Sequence, residues 1–143
     1  MVDGIEAVHP KPEEAHNMPY APGIYVEGGC DILFLSGSTT SPLYHKHPHV
    51  PEEHVLPHDI KEQTRRVMDN IKSVLDAKGL TWRNVVKVTK YFTDNRERND
   101  VNAVMSEYFG DWRPASTGLC VQGLSAPGAR LELDMIAIAP RKK

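Results

Sequence analysis

The segment from Asp59 to Gly79 has the pattern of one amphipathic helix packed against a core. Its apolar residues recur at intervals of three and four, which places them on one side of an α-helix, while charged residues occupy the other side. Asp59 and Glu62 have the spacing of a capping box, so they predict the start of the helix. Gly79 predicts its end, because glycine tolerates the left-handed conformation that often terminates a helix.

Strand patterns surround this helix. Five segments have the composition or alternation of β-strands, namely residues 24–26, 32–35, 85–92, 117–121 and 130–139. The glycine pair at 28–29 predicts a hairpin between the first two strands, and a second helix is predicted from a cap at Asp94 or Asn95 to Gly110. The order β-β-α-β-α-β-β predicts an α+β fold, in which one mixed sheet carries two helices on one face.

The length of the chain predicts one core. Its 143 residues are typical of a single domain, residues 1–143, that is stable without disulfides. Residues 1–22 contain four prolines, which discourage helix, so we expect an N-terminal arm that lies on the surface. Residues 41–58 contain four prolines and five histidines without a regular period, so we expect a long Pro/His-rich loop with a functional role.

The sheet face that the helices leave uncovered is expected to be an interface. The strands carry valine, leucine and isoleucine on that side as well as toward the helices. Large exposed apolar surfaces usually mark sites of association. We therefore expect this face to pack against other copies of the chain in a homo-oligomer.

The charge balance argues against two classes of partner. The chain has 17 basic and 19 acidic side chains, a net charge of −2, and its basic run is at residues 141–143, so neither nucleic acid nor a membrane surface is an expected partner. The N-terminal residues lack the basic start and apolar core of a signal peptide. Two cysteines, Cys30 and Cys120, fit a reducing compartment. Together these features predict a cytoplasmic protein.

The histidines of the Pro/His-rich loop are a conspicuous cluster. They are His45, His47, His49, His54 and His58. Imidazoles spaced by two in an extended segment point the same way, which is compatible with a transition-metal site. The alternative is a loop near a substrate entrance, whose histidines form local hydrogen bonds or offer cationic charge to an anionic ligand. The sequence favours this anion-attracting loop, because no acidic or cysteine partner lies at a fixed spacing nearby.

Three further residues have two interpretations each. Glu132, in the last predicted strand, is a candidate general acid or base, or it points to solvent through simple alternation. Arg113 is a candidate for binding a carboxylate through two hydrogen bonds, or it caps the preceding helix end at Gly110. Cys120 is more typical of a small apolar side chain than of a nucleophile.

The ordered segments of the chain resemble the YjgF/Rid (RidA) family of enamine and imine deaminases. The resemblance spans about residues 20 to 139 and is carried by LFLSGST at 33–39, DIKEQTRRVMDNIKSVLDAKGL at 59–80, VVKVTKYFTD at 85–94, VNAVMSEYFGDWRPAS at 101–116 and RLELDMIAIA at 130–139. It implies a chorismate-mutase-like fold and a homotrimer whose clefts between subunits bind small carboxylated metabolites. The resemblance is also compatible with a larger assembly, a hexamer. Neither a metal nor another cofactor is implied.

The resemblance also implies site residues. Glu132 matches the glutamate that positions the attacking water in deaminating members. The position of the arginine that holds the substrate carboxylate is occupied by Ser116, so Arg113 or the histidine loop is expected to supply that charge. Glu132 is thus the expected catalytic residue. The expected substrate-binding residues are Tyr20, Ser36, Gly37, His45, His47, Arg113, Ser116 and Thr117.

The extended LYHKHPH segment and the missing arginine resemble the branch of the family that contains 2-aminomuconate deaminases of aromatic degradation. This resemblance implies a cofactor-free hydrolytic deaminase that releases ammonia from an enamine with two carboxylates. The first alternative is a family member that binds a small metabolite without catalysis, or for regulation. The second is a metal-binding protein that uses the histidine loop.

Overall fold

The computed structural model describes residues 2–46 and 48–141. The strands are β1 (Ile5–Val8), β2 (Gly23–Val26), β3 (Cys30–Ser38), β4 (Val85–Phe92), β5 (Ala115–Cys120) and β6 (Leu131–Pro140), and the α-helices are α1 (Ile60–Ala77) and α2 (Arg98–Phe109). Short 3-10 turns occur at Pro12–Asn17, Pro51–His54, Trp82–Asn84 and Asn95–Glu97. Among the described residues, no helix is long and apolar enough to cross a bilayer.

A four-stranded mixed sheet forms the centre of the fold. Its strand order is β3-β6-β4-β5, with β4 and β5 parallel and the other pairs antiparallel. The two helices pack on one face, and alternate residues of β6 (Leu131, Leu133 and Met135) are buried beneath them. The predicted α+β class, with two helices on a mixed sheet, is confirmed.

The N-terminal region differs from the predicted topology. The arm contains strand β1, and β2 pairs antiparallel with β1 in a separate two-stranded sheet, so the hairpin predicted between β2 and β3 is wrong. Ile5 of β1 is buried in the core. The prolines of the arm disfavour helix, but they leave the run Ile5–Val8 free to satisfy the backbone groups of β2.

The ends of the helices agree with the sequence pattern in most respects. The Asp59 side chain accepts a hydrogen bond from the Lys61 amide at the start of α1. Glu62 lies 3.8 Å from Arg65 in an ion pair, so the structure shows a simple cap at Asp59 instead of the predicted box. Asp94 caps a 3-10 turn that leads into α2, and Gly110 ends α2 with a φ of 65°.

Two amides on the inner side of α1 fix the loops above the sheet. The buried Gln63 donates from Nε2 to the carbonyl oxygens of Pro57 and Gly128, at 2.9 and 3.1 Å, and accepts from the Arg130 amide at 3.0 Å. Two turns further along α1, Asn70 donates from Nδ2 to the carbonyl oxygen of Thr39 at 3.1 Å and to that of Ser41 at 2.9 Å. These contacts hold both loops against the helix where they border the site described next.

Candidate functional site

Glu132 and Gly37 are neighbours in the candidate site. They lie on neighbouring strands β6 and β3, where the pairing register shifts between Leu35 and Ser38. A Cβ atom at residue 37 would lie 2.6 Å from Glu132 Oε2, which is closer than real Cβ contacts. Glycine at this position therefore makes room for the carboxylate, and the shift in register brings the two residues together.

Glu132 and Gly37 border a cavity of about 250 Å³, which we call the Glu132 cavity. Its walls come from the end of β3, from the Pro/His-rich loop, from the turn at 125–127 and from β6. The lining residues include Gly37, Thr39, His45, His49, His54 and Glu132. A carboxylate and three imidazoles thus share a space that is large enough for a small metabolite.

The environment of Glu132 favours its protonated form. Partial burial raises the pKa of Glu132, and the negative charge of Asp134, two residues along the same strand, raises this pKa further. The Tyr91 hydroxyl donates to Asp134 Oδ2 at 2.9 Å, so Asp134 is held in place. A carboxylate with a raised pKa is a stronger base than an ordinary one, which suits proton removal from water.

The histidine rings are packed against one another at the edge of this cavity. The centroids of His45 and His49 are 4.7 Å apart in a stacked arrangement, and those of His49 and His54 are 5.6 Å apart with tilted rings. His45 Nδ1 lies 3.1 Å from the Pro42 carbonyl oxygen. His47 lies outside the described residues. Within the described ranges, no three His, Cys, Asp or Glu side chains are arranged to hold a metal ion.

Arg113 and Ser116 line a different cavity. It lies between α2 and the sheet and has a volume of about 50 Å³. Arg113 donates to the carbonyl oxygens of Gly110 and Trp112. Of its two interpretations, the structure therefore shows the second, in which Arg113 caps the end of α2. Carboxylate binding by Arg113 stays a prediction. Within one chain, the structure does not bring Arg113 or Ser116 into the cavity that contains Glu132.

The other expected site residues lie at three places. Thr117 is exposed, and its hydroxyl accepts from Lys87 Nζ at 2.6 Å on the sheet face opposite the helices. Ser36 borders a third cavity beside Gly37, together with Leu43 and Tyr44 of the loop. Tyr20 is exposed on the arm, where the neighbouring Ala21 amide donates to the Pro114 carbonyl oxygen at 3.3 Å.

Two groups of site residues were absent from the expected set. His49 and His54 border the Glu132 cavity; they belong to the predicted histidine cluster but were not among the expected substrate-binding residues. Lys90 borders the cavity of Arg113 and Ser116. Lys90 is on the same side of β4 as Val88 and Phe92. A lysine in a row of apolar residues is unusual, and this was visible in the sequence.

Comparisons with known proteins agree on one family. The family model described as Endoribonuclease L-PSP matches residues 15–139. A RutC family protein of Pyrococcus abyssi is 36% identical over 120 residues, which are 83% of this chain and 85% of the relative. The Escherichia coli K12 protein TdcF, whose name assigns it provisionally as a reactive intermediate deaminase, is 29% identical over 129 residues, 87% of this chain and 94% of TdcF.

A solved structure shows the same fold. The YjgF gene product of Escherichia coli superposes with a TM-score of 0.64 at 27% sequence identity. The similarity covers 84% of this chain and 87% of that protein. The fold class and the family resemblance expected from the sequence are therefore both confirmed.

Proposed function

This chain belongs to the YjgF/Rid family, that of the Endoribonuclease L-PSP model, and on that premise we propose that it is a hydrolytic deaminase of a small carboxylated enamine or imine. The observation that supports this function is the position of Glu132, whose carboxylate borders the Glu132 cavity beside Gly37. Related chains include TdcF, whose name assigns it to reactive-intermediate deamination.

The proposed reaction needs only positioning and proton transfer. The enamine first tautomerises to an imine. Glu132 then accepts a proton from water while the water oxygen bonds to the imine carbon, and the proton is passed to nitrogen. Glu132 next accepts the proton of the added hydroxyl group and passes it to the amine nitrogen. The carbon–nitrogen bond then breaks, the carbonyl forms and ammonia leaves, so that one imine and one water give one ketone and one ammonia. A group acting this way typically contributes about 10²- to 10⁴-fold to the rate.

We propose 2-aminomuconate as the substrate. The histidine rings at the edge of the Glu132 cavity carry N–H donors that suit an anion, and each hydrogen bond to a charged group contributes about 1.5 to 3 kcal/mol. His45 borders the cavity, whereas Arg113 and Ser116 do not. In our proposal, a neighbouring copy in a homotrimer completes the cleft and brings its Arg113, Ser116, Thr117, Ser36 or Tyr20 to the substrate.

One observation favours a second candidate, which is binding of a metabolite without catalysis. Ser116 occupies the position at which the resemblance implies a carboxylate-binding arginine. Loss of that charge weakens substrate binding in the catalytic geometry.

The net charge of −2 argues against RNA as the substrate, although the family description names an endoribonuclease.

A coupled ammonia assay tests the proposed function. The wild-type protein is given 2-aminomuconate or 2-aminoacrylate, each generated in the assay, and is compared with Glu132→Gln and with Glu52→Gln, an exposed glutamate outside the Glu132 cavity. We expect faster release from 2-aminomuconate, loss of at least about 100-fold in Glu132→Gln, and no loss in Glu52→Gln. Unchanged turnover in Glu132→Gln would remove Glu132 from the mechanism. Stabilisation by substrate without ammonia release by the wild type would favour the binding candidate.

A further inference from the structure

Lys90 is placed where the fold otherwise has apolar side chains. It lies on β4 between Val88 and Phe92, which are both buried and have the same parity along the strand. Its side chain borders the cavity of about 50 Å³ between the sheet and α2, which we call the Lys90 cavity. A charged group at such a position costs free energy unless it gains a partner.

The ammonium group of Lys90 has more donors than the chain satisfies. Nζ donates to Asn102 Oδ1 at 2.8 Å, which is its one hydrogen-bond partner among residues 2–46 and 48–141. A lysine ammonium has three N–H donors. Within the same ranges no carboxylate forms an ion pair with Lys90. Burial lowers the pKa of Lys90, and the positive charge of Arg98 lowers it further, so the group would gain from a negative partner.

The other residues of the Lys90 cavity suit a small anion. None of the described residues that line it is acidic. Ser106 and Ser116 contribute hydroxyl groups, which are hydrogen-bond donors, while Met105 and Phe109 contribute apolar walls. Arg113 also borders the cavity, but its guanidinium donates to the Gly110 and Trp112 carbonyl oxygens at the end of α2. Both Arg113 contacts use Nη1, so the remaining guanidinium donors of Arg113 and the Lys90 ammonium are together available to a ligand.

The size of the Lys90 cavity limits what it can accept. One water needs about 10 to 15 Å³ of such a cavity, so a volume of about 50 Å³ accepts a group of three or four heavy atoms. Formate, nitrate and the carboxylate end of a small acid have this size. Pro19 of the N-terminal arm lines the cavity as well, and the Ala21 amide holds the arm to the Pro114 carbonyl oxygen.

We propose that the Lys90 cavity is a binding site for one small anion of carboxylate or nitrate size, with Lys90 as its charged partner and the Ser106 and Ser116 hydroxyls as further donors. Its test does not depend on ammonia release, although Arg113 and Ser116 are also among the residues that a neighbouring copy is proposed to bring to the substrate. Within the chain the Lys90 cavity shares none of its lining residues with the Glu132 cavity. Its ligand is either a free inorganic anion or the carboxylate of a metabolite, since both offer the same charge and acceptor atoms.

Thermal unfolding at constant ionic strength tests this site. Sodium gluconate, whose polyhydroxy chain makes it bulkier than the three test anions, is replaced stepwise by sodium nitrate, formate or acetate. The melting temperature is followed for each anion, so the response reports binding in preference to gluconate. The variants are Lys90→Met, which keeps the length of the side chain, and Lys90→Arg, which keeps the charge. Lys87→Met is the matched control, because Lys87 lies on the same strand but donates to Thr117 on the other face.

We expect a saturable rise in melting temperature for the wild type and for Lys87→Met, a weaker one for Lys90→Arg, and none for Lys90→Met. A response to formate and acetate but not to nitrate would identify a carboxylate ligand, and an equal response to all three would identify a general anion site. In gluconate alone, Lys90→Met should melt at the same or a higher temperature, so a lost response cannot be attributed to misfolding. An equal rise in Lys90→Met and wild type, or no rise in either, would overturn the proposal.

Discussion

Gly37 leaves room for Glu132, because a methyl group at residue 37 would lie 2.6 Å from the carboxylate oxygen Oε2. The backbone at Gly37 is not in the left-handed region, so alanine can adopt its conformation. What an added methyl group displaces is the flexible end of a glutamate side chain and not a neighbouring backbone. Gly37 is thus required by the position of Glu132 more than by the fold.

Gly37→Ala should therefore separate activity from stability. We expect kcat for ammonia release to fall at least about 10-fold, since small displacements of a catalytic group are costly, while the melting temperature changes little. The matched control is Gly28→Ala, because a Cβ atom at residue 28 meets no atom within 4 Å. Full activity in Gly37→Ala would show that the observed position of Glu132 is not the active one.

Glu132→Gln should not destabilise the protein at neutral pH. The pKa of Glu132 is raised by burial and then by the charge of Asp134, so folding favours the protonated form. The protonated carboxyl group of Glu132 contributes to stability below the pKa of about 4.3 that a glutamate has in the unfolded chain. This contribution is lost as the pH rises through the higher pKa of the folded state. We expect Glu132→Gln to melt at the same or a higher temperature near pH 7, with a difference that shrinks toward pH 4. A lower melting temperature at pH 7 would contradict this account.

Asp134→Asn should move the acid limb of the activity profile to lower pH. Glu132 must be ionised to act as a base, so activity is lost as the pH falls through its raised pKa. Removing the charge of Asp134 removes the second of the two causes and leaves burial, so the shift should be partial. The measurement is kcat/KM against pH for wild type, Asp134→Asn and Tyr91→Phe, which keeps the charge but removes the hydrogen bond to Asp134. An unmoved limb in Asp134→Asn would show that another group limits activity at low pH.

The elements with a long and regular pattern were predictable from the sequence. Helix α1 is specified by its apolar spacing and by Asp59, whose carboxylate satisfies a free amide at the helix start. The pairing of β2 was not predictable in the same way. Short strands carry little pattern. The partner of β2 is β1, whose Ile5 is buried in the core, and the glycine pair at 28–29 gives no local indication of this pairing.

The candidate site was predictable in part. Glu132 and Gly37 were expected site residues, and the structure places them side by side. Strand alternation alone does not reveal this contact, because it depends on the irregular pairing of β3 with β6. The role of Gln63 was not predictable either. A polar residue on the inner side of a helix can be explained only when its hydrogen-bond partners are known, and those of Gln63 lie on two distant loops.

Gln63→Leu should destabilise the protein through those loops. The substitution leaves the carbonyl oxygens of Pro57 and Gly128 and the amide of Arg130 without their partner, and each such loss costs about 1 to 3 kcal/mol when the group stays buried. Urea unfolding measures the loss, and Gln122→Leu, at an exposed position, is the matched control. We expect a clear loss in the first variant and almost none in the second. Equal stabilities would show that water replaces the Gln63 contacts.

The apolar part of the uncovered sheet face gives the test of assembly. Ile32 and Phe34 of β3 lie on the same side of the sheet as Glu132. Their side chains are 57% and 72% exposed, and such exposure is unusual for large apolar residues of a strand. Burial of apolar surface contributes about 25 cal/mol per Å², so covering these residues favours association of copies through this face. A charge placed there opposes it, because a buried glutamate without a partner is costly.

Phe34→Glu should therefore reduce the proposed trimer to single chains. Light scattering should give about 48 kDa for a wild-type trimer, three times the 16.0 kDa of one chain, and about 16 kDa for the variant. Val55→Glu is the matched control, since Val55 is 76% exposed and belongs to the Pro/His-rich loop and not to a strand. If substrate is bound between copies, ammonia release should be lost with the assembly in Phe34→Glu and kept in Val55→Glu. A wild-type mass of one chain would contradict the proposed trimer, and an active single-chain Phe34→Glu would show that one copy forms the complete cleft.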